Sequence, residues 1–193
     1  MIWALDARLA DIVRTTREPL IGQMRLTWWH DVVTDHAGIK GRGDPLVDAL
    51  RQAGISASPA ALISLIDGWE VLLDAGELND DALTAFAMAR GGGLFRLLAD
   101  GKGTTEWLEN AGAVWALWDL SGHITNGGTA RRALALARAL LDAMPAAPQW
   151  RNSKPLRIAF GMARQDVMAE RRAPATLSPA LYGRMLRIAL VGR

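Results

Sequence analysis

Cysteine is absent from the 193 residues. That excludes a disulfide framework and thiolate metal sites, and it fits a reducing, cytoplasmic setting. Lysine is scarce, present only at Lys40, Lys102 and Lys154. The positive charge is therefore almost all arginine, which stays ionised and forks onto carboxylate or phosphate. Net charge is +2 and the pI is near 9.5. The arginines are scattered among Asp and Glu without a basic run, so nucleic acid is not an expected partner. No stretch of about 18 apolar residues exists, so no transmembrane segment is expected. No amphipathic stretch is strongly basic, and peripheral contact with the inner membrane stays open. Residues 1–8 lack the basic and long apolar regions of a signal peptide. The three histidines, His30, His36 and His123, form no His-Glu-x-x-His pattern, and no Gly-x-Ser-x-Gly elbow or Walker-type phosphate loop occurs.

What is present is an apolar, helix-patterned chain. Hydrophobic residues make up 50%, enough for a sizeable core. Apolar residues never alternate with polar ones over a strand length, so the chain reads as all-α, in one domain over 1–193. The first helix spans about 2–15. Glu18 and Pro19 open a second, to about His36. A glycine-containing loop covers 37–43. Asp44 caps a short helix with Pro45 at its first position. Ser58-Pro59 opens a helix to Asp74, and Asn79 or Asp80 opens another to Asp100. Thr104 or Thr105 starts a helix through Trp107, Trp115 and Trp118, ending near Gly122. Thr129 caps 130–144, and Pro145-Ala146-Ala147-Pro148 breaks the pattern. Helices over about 154–172 and 179–190 follow, the latter opened by Ser178-Pro179.

Several faces invite chemistry. Helix 18–36 is apolar nearly all round, which predicts a central helix with neighbours on several sides. Arg25 sits within it. It either meets a diphosphate or carboxylate in a cavity or, in its more ordinary role, pairs with an acid on a neighbouring helix. On helix 58–74, Asp67, Glu70 and Asp74 align on one face, opposite a stripe of Leu62, Leu65, Ile66 and Trp69. Such a row is usually solvated, but it has the donors to hold Mg²⁺ through bridging waters. Gly91-Gly92-Gly93 lies inside a helix at a cost of about 1 kcal/mol per glycine. It therefore marks a kink, a close helix–helix approach or clearance for a ligand. Eight tryptophans sit mostly on apolar faces; core packing is their default, and a hydrocarbon groove is the alternative.

The run Leu5-Asp6-Ala7-Arg8-Leu9 through Arg17-Glu18-Pro19-Leu20-Ile21-Gly22-Gln23-Met24-Arg25-Leu26-Thr27-Trp28-Trp29 resembles the N-terminal region of squalene/phytoene synthase-like proteins. It is most similar to the branch with the phytoene-synthase-related complex I assembly factor and its alphaproteobacterial relatives. Leu65-Ile66-Asp67-Gly68-Trp69-Glu70, Gly91-Gly92-Gly93-Leu94 and Gly112-Ala113-Val114-Trp115-Ala116-Leu117 resemble later family segments more loosely. The resemblance implies an isoprenoid-synthase fold, a helical bundle around a central cavity. Arg25, Trp28, Trp29 and Trp115 become candidates to line that cavity.

Active members hold Mg²⁺ between two aspartate-rich motifs to release diphosphate. Here the first motif region, Leu9–Arg14, keeps only Asp11, with Asp6 one and a half turns earlier. The second, after Leu117, keeps only Asp119. The chain is also shorter than active synthases at both ends, which places Met1 inside the family's first helix. The resemblance therefore implies a non-catalytic relative that binds an isoprenoid or other lipid, or serves as an assembly factor for a protein partner, with no cofactor. Two alternatives stay open. One is an active Mg²⁺-dependent prenyl transferase using Asp6, Asp11, Asp67, Glu70 and Asp74. The other is an α-helical protein-interaction module.

Overall fold

The computed structural model describes residues 1–55, 59–74, 78–99, 106–145, 153–176 and 178–191. Every regular element among them is helical: α1 (Ile2–Thr15), α2 (Pro19–Thr34), α3 (Pro45–Gln52), α4 (Pro59–Asp74), α5 (Asp80–Phe86), a π segment (Ala87–Gly92), α6 (Gly93–Leu98), α7 (Glu106–His123), α8 (Gly127–Ala143), α9 (Lys154–Met168) and α10 (Pro179–Val191). The all-α expectation holds. The helix starts proposed at Ser58 and at Thr104 or Thr105, and residues 146–148 of the proposed break, lie outside the described residues.

Local chemistry sets most helix starts. The Asp44 carboxylate accepts from the N–H groups of Leu46 and Val47 at 2.8 and 3.2 Å, and Pro45 needs no partner for the donor it lacks. Asn79 rather than Asp80 caps α5, accepting from the Ala82 N–H. The Ser178 hydroxyl accepts from Leu181 N–H at the start of α10. At α8 the expected cap is displaced. Asn126, not Thr129, accepts the free N–H groups, those of Gly128 and Thr129. The two intervening glycines do not stop the helix, which starts at Gly127. Helix α9 ends at Met168, four residues earlier than the periodicity suggests. Glu170 turns into the left-handed region at φ 53°, and Arg171 N–H bonds back to the Asp166 carbonyl, closing the helix in a Schellman-type turn.

The centre of the molecule is α7 and the π segment, which pack on each other. Twelve of the 18 residues of α7 are buried. Residues 90–95 are buried without interruption, so this stretch is enclosed on all sides. The glycine triplet explains how. A Cβ on Gly91 would lie 2.1 Å from the Gly112 carbonyl oxygen, and one on Gly112 would lie 2.1 Å from that of Gly91. The two backbones touch, and only glycine permits the approach. Of the roles open to the triplet, close helix–helix packing is the one realised. The π turn adds a residue to the ladder, a local change of register that often accompanies functional positions.

Around this centre, α4 covers the π segment and α6, with α1 packed on α4. Helices α8 and α9 cover α7 on the other side, and α10 packs on α9. One continuous cluster of buried side chains runs from Ile2 to Ile188.

Helix α2 is not central, contrary to its composition. It lies on α4 and α1, with α4 and the π segment between it and α7. Gly22, Leu26, Trp29, Val32 and Val33 face inward. Leu20, Ile21, Met24 and Trp28 remain exposed, Leu20 at 68%. An all-round apolar pattern leaves the inward face undetermined, and here one face has no neighbour among the described residues.

Candidate functional site

The chemistry at the centre is organised by a residue the sequence patterns did not single out. Arg90, on the π segment, is 4% exposed. Its guanidinium grips Asp6 of α1 through two bonds, Nε to Oδ1 at 3.0 Å and one Nη to Oδ2 at 2.9 Å. The other Nη donates to Asp119 Oδ2 of α7 at 2.7 Å. Its plane is held between indoles: Cζ lies 4.3 Å from the Trp69 ring centroid and 4.6 Å from that of Trp115. Phe86 closes a third side at 5.6 Å. The Trp69 Nε1–H also donates to Asp6 Oδ1, at 2.8 Å.

The partners come from four helices, Asp6 from α1, Trp69 from α4, Phe86 from α5 and both Trp115 and Asp119 from α7, so the cluster ties these to the π segment. Gly68 makes room on α4, since a Cβ there would lie 2.5 Å from the Arg90 nitrogen. Trp115 is fixed in turn by Trp3, edge-on at 5.2 Å, and by Phe95 at 6.0 Å. Burial opposes the charge on Arg90. The Asp6 and Asp119 carboxylates and their hydrogen bonds outweigh it, so the guanidinium holds its proton above the ordinary arginine value. The cluster carries two carboxylates and one guanidinium, and Asp119 keeps partial contact with solvent at 25% side-chain exposure. Such an arrangement is chemically closed: every strong acceptor of Asp6 already has a donor.

The sequence held one usable signal for Arg90. It is the sole charge in the run Phe86-Ala87-Met88-Ala89-Arg90-Gly91-Gly92-Gly93-Leu94-Phe95. A lone charge in so apolar a stretch needs a partner from elsewhere in the fold.

The expected site residues are dispersed. Arg25 does not face inward; it is exposed, and donates to Thr16 Oγ1 at 3.2 Å. Trp28 is 41% exposed and meets Trp29 edge-on at 5.0 Å. Trp29 is a core residue at 3% exposure. Trp115 alone of the four reaches the central cluster. Among the five acids, Asp6 is buried, while Asp11, Asp67 and Asp74 are exposed and Glu70 is half-buried. Asp11 pairs with Arg14 on its own helix, and the Arg14 hydrogen bond and charge lower its pKa. Asp74 accepts from the Gln23 amide of α2. Asp67 and Glu70 flank α2 near His30. Burial raises both carboxyls, and the Asp74 and Asp67 charges raise Glu70 further. The five acids therefore do not form one set. Among the described residues no group of three or more His, Asp or Glu is placed to hold a metal.

A separate cavity of about 260 Å³ lies between α7, α8 and α9. Trp107, Leu141, Met144, Phe160 and Met168 line it, with Arg164 and Asp142 among the polar groups. None of the expected site residues borders it.

Among the described residues, no helix is long and apolar enough to cross a membrane. No family model, no curated protein and no solved structure matches this chain.

Proposed function

We propose that this chain is a non-catalytic protein of the squalene/phytoene synthase-like type, built on an isoprenoid-synthase-like helical frame and acting through its surface as an assembly or docking protein. One observation carries the reading. Asp119, the acid kept in the second expected motif, and Asp6, one and a half turns before the first, are both engaged by Arg90, and Asp11, inside the first, pairs with Arg14. Carboxylates that bind Mg²⁺ and diphosphate must be free across an open space. Here the space holds a guanidinium and two indoles.

The acids present do not fit a Mg²⁺ cluster. Displacing Arg90 would leave its charge without compensation in an apolar interior, at a cost of several kcal/mol. Asp11 is taken by Arg14, and the Asp67–Asp74 row faces away from the centre. No diphosphate-releasing step follows from this geometry.

A lipid-binding reading is favoured by the cavity between α7, α8 and α9, whose apolar side chains and Arg164 suit a short amphiphile with an anionic head. The cavity lies away from the central cluster.

Incubation of the full chain with farnesyl or geranylgeranyl diphosphate and Mg²⁺, followed by product extraction, tests the proposal. No condensation product is expected. Turnover to a squalene- or phytoene-type hydrocarbon would overturn it.

A further inference from the structure

We propose that the exposed face of α2 is a homodimer interface, with two copies packing α2 against α2 in parallel about a two-fold axis along the helices. The face is apolar where a surface helix is normally polar. Met24 is 65% exposed and Leu20 68%. Ile21, Met24 and Trp28 follow the alternating spacing of three and four that forms a two-helix seam, which ends at the next position, Asp31, where Lys40 holds the carboxylate.

The flanks identify the occupant. On the α1 side stand Arg25, Arg17 and Arg8, all exposed. On the α4 side runs the row Asp67, Glu70 and Asp74. Gln23 bonds Asp74 at one end and His30 lies by Asp67 at the other, so this row runs antiparallel to α2. The ridge is thus positive on one side and negative on the other. An anionic lipid surface would attract one flank and repel the other. A matching surface must present the same apolar centre with the charges reversed.

This chain's own face, turned by 180° about the α2 direction, does that. The rotation keeps the helices parallel and exchanges left for right. Arg25 then comes level with the partner's Glu70 and the partner's Asp74.

Sedimentation equilibrium of the full chain tests this. The expected species has twice the 20.9 kDa monomer mass. Met24→Glu sets like charges together at the two-fold axis and is expected to weaken association at least about tenfold. At concentrations low enough that both chains are monomers, its unfolding midpoint should not change, because Met24 is solvent-exposed in the monomer. Arg25→Glu should weaken association too, and adding Glu70→Arg should restore it, a rescue that a general folding defect would not show. A wild-type chain that stays monomeric at about 100 μM overturns the proposal. So does a dimer indifferent to Met24→Glu, or a monomer that binds phosphatidylserine vesicles through this face.

Discussion

Replacing Arg90 by methionine keeps an unbranched side chain and removes the guanidinium. Asp6 would then retain one donor, the Trp69 indole, at 5% exposure. Asp119 would keep some water. Removing one member of a buried ion pair costs about 3–5 kcal/mol, because the remaining charge stays buried without compensation. The two indole faces lose their cation as well, a further contribution of about 1 kcal/mol. Partial solvation of Asp119 offsets some of this. The expected loss is about 4 kcal/mol, a large share of the roughly 5–15 kcal/mol that stabilises a domain.

Urea unfolding followed by tryptophan fluorescence reads the loss as a lower midpoint with an unchanged slope. Combining Arg90→Met with Asp6→Asn and Asp119→Asn removes all three charges and should restore most of the loss. A single variant within about 1 kcal/mol of wild type at neutral pH would refute the reasoning.

Two further perturbations probe the surroundings. Gly91→Ala drives a methyl into the Gly112 carbonyl and should cost about 3 kcal/mol or more through forced separation of two helices. Gly183→Ala, whose Cβ meets open space, should be neutral or stabilising by up to about 1 kcal/mol; equal effects in thermal unfolding would contradict the packing. The Asp67 and Glu70 carboxyls are raised by burial, so folding favours their protonated forms. Their contribution therefore falls as pH climbs from the ordinary values of 3.8 and 4.5 through the raised ones. Asp67→Asn with Glu70→Gln should flatten that decline and add a few tenths of a kcal/mol at neutral pH, solvent screening keeping the effect small. A double variant less stable than wild type at neutral pH, with no difference in acid, would be the wrong sign.

Much of the local structure was legible before any coordinates. Asp44 with Pro45, and Ser178 with Pro179, announce helix starts because a short polar side chain reaches the N–H groups one turn on. The stripe Leu62, Leu65, Ile66 and Trp69 announces the buried face of α4. Failures fall where a residue's fate depends on distant chain. Asn126 took the role expected of Thr129, and the return bond from Arg171 to Asp166 ended α9 early. Neither residue type forces its outcome alone.

The sequence by itself determined that this is a helical chain with a substantial core, because periodicity, capping and burial are properties of near neighbours. It also determined that Gly91–Gly93 must serve a bend, a close approach or clearance for a ligand, since three glycines inside a helix otherwise only cost stability. Only the tertiary structure decided that the close contact is Gly112. It alone decided that α2 lies at the surface, because a helix apolar all round carries no information about which face is covered. The pairing of Asp6 and Asp119 through Arg90 is likewise a fact of the assembled fold. Those residues are 84 and 29 positions from the arginine, and Coulomb attraction joins them only after packing has excluded the water between.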